Sequence, residues 1–232
     1  MCDEAIWSPV LPHLEAMVGG PVQVHIADHG ETDSLGEMAE RLLAHAPDRF
    51  ALAGHSMGAR VALEVMRRAP ERVERLALLD TGYLPLPHGH AGEAERAKRH
   101  ALLEIAEREG TRAMGREWAV GMVHPDRLHD AVLMAAIVDM VARKPAEVFA
   151  AQVRALLARP DGTPLLQALA LPTTIACGRQ DAWSPLSQHE EMQRLAPGST
   201  LAVIEAAGHM APMERPAATA RVLAGWLGIA EG

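Results

Sequence analysis

Residues 50–81 read FALAGHSMGARVALEVMRRAPERVERLALLDT, and the fold turns on them. RFALAG (49–54) is a short apolar run that predicts a strand, Met57 to about Ala69 repeats apolar residues at helical spacing, and VERLALLD (73–80) predicts a second strand. Parallel strands need a crossover connection, so strand, helix and strand in close succession point to a parallel pair. The nearly continuous apolar character of both strands points to a sheet covered on both faces. At the junction of the first strand and the helix lies GHSMG (54–58). A sharp turn there strains the backbone of its central residue and lifts Ser56 Oγ above the sheet, and Gly54 and Gly58 are expected to admit closely approaching chain. The turn also opens a helix, whose free N–H groups and partial positive charge favour an anion. The N–H of Met57 is therefore expected to face an oxyanion formed next to Ser56. A glycine-rich loop at the end of any parallel strand would look similar, so the motif gains meaning only from its partners.

Working outward, Ile6, Val10, Leu14 and Met17 recur at helical spacing, Gly19-Gly20-Pro21 ends that helix, and VQVHI (22–26) predicts a strand. Leu35, Met38, Ala39, Leu42, Leu43 and Ala46 predict an amphipathic helix. From Thr81 to about Leu171 every periodic segment is helical, at 93–109, 111–122, 126–142 and 145–158. Alternation then resumes with PTTIACG (172–178), a helix near 186–195, STLAVIE (199–205) and a last helix over 217–227. The expected fold class is α/β: a mostly parallel sheet with helices on both faces, its core formed by 1–80 and 172–232, and an inserted helical cap over 81–171. The stretch Ala131 to Ala142 reads as a buried helix, well short of the ~20 apolar residues of a membrane span.

A serine hydroxyl is a weak nucleophile that needs a base, usually histidine, which in turn needs an acid to fix its tautomer. Asp181 follows strand 172–178 and His209 follows strand 199–205. In a parallel sheet both strand ends lie on the edge that carries Ser56. Asp80, which closes strand 73–80, is a rival acid, with Asp181 preferred. His55 reads as a packing residue or pocket liner. His88 and His90 lack carboxylate or cysteine at ligand spacing, so no metal is expected.

GHSMG with its flanking strand and helix, PTTIACGRQDAWSP (172–185) and EAAGHMAPMERP (205–216) together resemble the α/β-hydrolase superfamily, particularly small bacterial esterases and enol-lactonase-like members with a four-helix cap. The resemblance implies Ser56 as nucleophile, His209 as general base and then acid, Asp181 as the orienting acid, Met57 N–H as one oxyanion donor, and no cofactor. It implies cleavage of a carboxylic ester or thioester of a small or medium apolar acyl group through an acyl-serine. Carbon–carbon bond hydrolysis, enol-lactone opening and perhydrolysis use the same triad and stay open, as does a weakly catalytic ligand-binding module. Dehalogenase and epoxide hydrolase chemistry would want Asp in place of Ser56. Arg96, Lys98, Arg99, Arg108, Arg112 and Arg116 resemble the basic cap face with which pimeloyl-carrier methyl esterases dock acyl-carrier protein, but interleaved acids favour a solvated helix face. Family members carry a strand and an oxyanion turn ahead of the first helix, whereas here that helix starts near residue 2. Two expectations follow: a start codon upstream of Met1, or a short form that pairs 22–26 directly with 49–54. Either leaves the oxyanion hole incomplete.

Composition narrows the partners. A net charge of −8, with 30 acidic against 22 basic residues, lacks the footprint of a nucleic-acid or anionic-membrane binder. The seven aromatic residues (two Phe, one Tyr, four Trp) leave an aliphatic core and almost no stacking platform for single-stranded nucleic acid. Two cysteines and no apolar leader suggest a cytoplasmic protein, with a small molecule as partner and no preference as to oligomeric state.

Overall fold

The computed structural model describes residues 1–229. Its elements run α1 (Leu11–Val18), α2 (Leu35–His45), β1 (Phe50–His55), α3 (Met57–Arg68), β2 (Val73–Leu79), α4 (His90–Glu109), α5 (Thr111–Ala119), α6 (Ala131–Ala142), α7 (Ala146–Leu157), α8 (Thr163–Gln167), β3 (Thr173–Gly178), α9 (Leu186–Leu195), β4 (Thr200–Ile204), α10 (Ala211–Glu214) and α11 (Pro216–Leu227). Among the described residues the strands form one four-stranded sheet in the order β1-β2-β3-β4. All three pairings are parallel, with Gly54 opposite Leu78, Leu79 opposite Ala176 and Gly178 opposite Ile204. The C-terminal ends of all four strands therefore share one edge.

Helices cover both faces. On one, Leu35 and Met38 of α2, Val61 and Val65 of α3, Leu166 of α8 and Met192 of α9 pack on Leu52, Leu76, Leu78 and Ile175. On the other, Val10 and Leu14 join Ala220, Leu223 and Trp226 of α11 against Ala77, Leu79 and Ala176. β3 has a neighbour on each side and is buried along its whole length. Full burial of a side chain such as Ile175 contributes about 2–3 kcal/mol.

Two expectations are corrected. Residues 22–26 form no strand, and β1 pairs with β2 alone among the described residues. Val22 N–H instead donates to Glu15 Oε1 of α1 at 3.3 Å, and Val24 is 43% exposed. A strand is stabilised by its ladder and cross-strand side-chain pairs, and this segment has neither. The second correction concerns α6. It buries Leu133, Ile137, Val138, Met140 and Val141, yet Val132 is 82% exposed, so one face of this apolar helix looks outward. Helices α4 to α8 all lie between β2 and β3 in sequence. No helix of the described residues is long and apolar enough to cross a membrane.

Candidate active site

Ser56 links β1 to α3 with φ 53° and ψ −116°, a strained backbone for a residue with a side chain. Its N–H donates to the Leu79 carbonyl at the end of β2 (2.9 Å), and its own carbonyl accepts from Thr81 Oγ1 (2.9 Å). Thr81 is anchored in turn, since its N–H donates to His189 Nε2 at 3.0 Å while His189 Nδ1 lies 3.1 Å from the Pro185 carbonyl. A nitrogen facing a carbonyl must carry the proton and one accepting an N–H must not, so His189 is the neutral Nδ1–H tautomer. Burial, which lowers the basicity of this imidazole, agrees. The turn is tight on one side only. A Cβ on Gly54 would come within 2.5 Å of the Ala59 and Gly58 backbone, whereas one on Gly58 would meet nothing within 4 Å. The expectation of close packing thus holds for Gly54 and fails for Gly58. Met57 N–H stands at the first turn of α3, where an amide has no intrahelical partner.

His209 Nε2 lies 2.8 Å from Ser56 Oγ, and His209 Nδ1 lies 2.8 Å from Asp181 Oδ2. The carboxylate fixes the proton on Nδ1, leaving the Nε2 lone pair to accept from the serine hydroxyl. Asp181 Oδ1 accepts from the N–H groups of Trp183 (2.8 Å) and Ser184 (2.9 Å). Burial alone would raise the Asp181 carboxyl, but the adjoining His209 ring and these hydrogen bonds outweigh it and hold the group below the ordinary carboxylate range. The His209 turn is held from three directions. His55 Nε2 approaches the His209 carbonyl at 2.7 Å, Gly208 N–H donates to Glu214 Oε1 at 2.8 Å, and Met210 N–H donates to the Met122 carbonyl at 3.0 Å. Rings also converge there: Trp183 lies 5.0 Å from His209 between centroids, Trp118 of α5 stacks on Trp183 at 5.5 Å, and Phe149 of α7 meets Trp118 edge-on at 5.3 Å. A chain poor in aromatics thus places two tryptophans in a wall beside this histidine.

Asp80 follows β2 with φ 48° and is fully buried. Its Oδ1 accepts from Gly178 N–H at 2.8 Å, while Oδ2 has no hydrogen-bond partner and lies 3.5 Å from His55 Nε2. Burial, reinforced by the charge of Asp181, pushes the Asp80 carboxyl well above its usual range against the single N–H donor. Burial likewise lowers His55 to about 3, which leaves its imidazole uncharged near neutral pH.

The structure brings Ser56, Asp181 and His209 together, sets Met57 beside them, and keeps Asp80 behind His55. His88 and His90 are exposed at the start of α4. Among the described residues no group of three or more His, Cys, Asp or Glu could hold a metal ion. Of the basic residues on α4 and α5, Arg99 pairs with Glu95 (2.8 Å) and Arg112 with Asp139 (2.6 Å). Sequence reasoning missed Thr81, His189, Trp183 and Glu214. All four act on backbone or rings brought near by the fold; only the proximity of Trp183 to Asp181 and of Glu214 to His209 in sequence offered a signal.

A match to the Alpha/beta hydrolase family spans residues 5–222. The chain is 27% identical to a pimeloyl-[acyl-carrier protein] methyl ester esterase of Aliivibrio salmonicida, over 88% of this chain and 80% of that protein. It is 27% identical to the protein of the same name from Aromatoleum aromaticum, over 91% and 88% of the two chains. Among solved structures, a thermophilic esterase from Thermogutta terrifontis superposes with a TM-score of 0.80 at 26% identity, covering 98% of this chain and 86% of that one.

Proposed function

The chain belongs to the alpha/beta hydrolase family, and from that membership we propose that it is a serine hydrolase that cleaves a carboxylic ester or thioester of a small to medium apolar acyl group. The observation that carries the reading is the pair of 2.8 Å contacts that join Ser56 Oγ to His209 Nε2 and His209 Nδ1 to Asp181 Oδ2. The esterase names of the relatives support the ester as the bond attacked.

In this reading His209 Nε2 takes the hydroxyl proton as Ser56 Oγ bonds to the acyl carbon. The carbonyl electron pair moves onto oxygen, and that oxyanion faces Met57 N–H at the positive end of α3. Asp181 holds Nδ1–H and stabilises the imidazolium. The electron pair returns, the carbon–oxygen or carbon–sulfur bond breaks, and the leaving group takes the proton from Nε2. Water then repeats the sequence on the acyl-serine, releasing the acid and restoring Ser56. Residues 81–171 serve as a helical cap over the site, with Trp118 and Trp183 as an aromatic wall along the acyl path.

A fluorophosphonate probe tests the activation of Ser56 without knowledge of the substrate, because phosphonylation needs the same nucleophile and base. Labelling of the folded chain at Ser56, absent in Ser56→Ala, is the expected result. A folded chain that does not label is a binding module, and the reading fails.

A further inference from the structure

Glu214, the last residue of α10, is buried, and both of its carboxylate oxygens are engaged by backbone from two distant parts of the chain. Oε1 accepts from Gly208 N–H at 2.8 Å and Oε2 from His124 N–H at 2.7 Å. Gly208 immediately precedes His209, and His124 belongs to the segment that follows α5 in the inserted helical region. The two backbones are otherwise pressed together. A Cβ on Gly208 would come within 2.6 Å of Val123 C and 2.8 Å of His124 N and Met122 O, and on the far side of His209 the Met210 N–H donates to the Met122 carbonyl at 3.0 Å. His209 is thus flanked on both sides by residues bonded to 122–124 or to the carboxylate that grips it. Burial raises the Glu214 carboxyl above its ordinary range, opposed by these two N–H donors and by Arg127 and His124. The desolvation of this buried acid is offset by the two N–H donors, through which it bonds two loops at once.

We propose that Glu214 is a positioning residue that locks the turn carrying His209 to the 122–124 segment, so that the seating of that segment and the aim of the His209 ring toward Ser56 are set together. The inference rests on His209 being the general base.

The test uses Glu214→Gln, His124→Pro and their combination in the full chain. An amide offers one accepting oxygen, so Glu214→Gln leaves one of the two N–H groups facing a donor. His124→Pro deletes the His124 N–H at a residue whose φ of −55° already suits proline; it also removes the Nδ1 that accepts from Asp126 N–H, so His124→Ala, which loses that bond alone, is its reference. Amide hydrogen exchange reads the lock itself, whatever the substrate. In Glu214→Gln, peptides covering 119–125 and 205–212 lose protection together, while those covering β1 to β4 do not change. Ester hydrolysis reads its consequence: kcat falls about 10- to 100-fold with KM changed less than about threefold, because the ring is misaimed and the acyl site is not. The double variant falls no further than Glu214→Gln, since both break the same link. Exchange confined to one peptide, additive losses in the double variant, or an unchanged kcat would overturn the inference. A chain that shows coupled exchange but no esterase activity would instead retain the lock and overturn the reading of the reaction.

Discussion

The turns after β2 and β3 each end a parallel strand with a buried aspartate, and the two groups come out opposite. Asp181 receives three donors over its two oxygens: His209 Nδ1 and the N–H groups of Trp183 and Ser184. Asp80 receives one, from Gly178 N–H, and its second oxygen has no partner. Removing a carboxylate from water is unfavourable unless donors replace the lost hydration, so the first is held below the usual carboxylate range and the second is pushed well above it. Only a charged acid stabilises an imidazolium. A place at a strand end makes an aspartate a candidate, and the number of N–H groups aimed at it decides what it can do.

The largest expected effect comes from erasing the charge on the favoured side. Asp181→Asn should lower kcat by about 10³–10⁴-fold, because an amide cannot both stabilise the imidazolium and hold the Nδ1–H tautomer; steady-state kinetics on an activated ester measure it, and a loss near tenfold would hand the role to Asp80. His55, which contacts Asp80 and the His209 carbonyl, should contribute to the acid side of stability. Its folded pKa of about 3 lies below its ordinary 6.5, so the unfolded chain binds the proton first and stability falls as pH drops from about 6.5 toward 3. That loss is on the order of 3 kcal/mol by pH 4. Asp80 runs the other way, its stabilisation fading as pH rises through its raised pKa, and it is common to wild type and variant. Urea unfolding of wild type and His55→Gln between pH 7 and pH 4 should therefore show the steeper decline in wild type; parallel declines would contradict a neutral buried His55. The smallest effect belongs to Asp80→Asn, which keeps an oxygen for Gly178 N–H and replaces a carboxyl whose charged form burial already disfavours. Its kcat should stay within about tenfold of wild type, one net hydrogen bond at most.

Much of this was legible because the signals are local. The β1-to-α3 turn carries its meaning in five consecutive residues, and Asp181 and His209 stand just past strands that read clearly as apolar runs. Two of the helices between β2 and β3 follow their periodicity closely, the expected 93–109 and 145–158 being found as His90–Glu109 and Ala146–Leu157, whereas the expected 126–142 starts only at Ala131. What escaped depends on partners elsewhere in the chain. VQVHI (22–26) and TTIACG (173–178) read alike, yet only the second lies between two strands; a pattern of side chains cannot supply the neighbour that makes a ladder. Glu214 resembles an ordinary acid on a C-terminal helix and His189 an ordinary residue of an amphipathic one. Their importance lies in backbone N–H groups of His124 and Thr81 that only the fold brings near. Gly58 shows the converse, a motif position whose small size no neighbour demands.

In the proposed reaction Ser56, driven by His209 and Asp181, attacks an ester carbonyl. Hydrolysis of p-nitrophenyl esters from acetyl to decanoyl by the chain and by Ser56→Ala tests it most directly. Turnover should peak at a small or medium acyl length and fall more than about 10⁴-fold in the variant. Undiminished hydrolysis by Ser56→Ala, or a folded wild-type chain that cleaves none of the series, would contradict it.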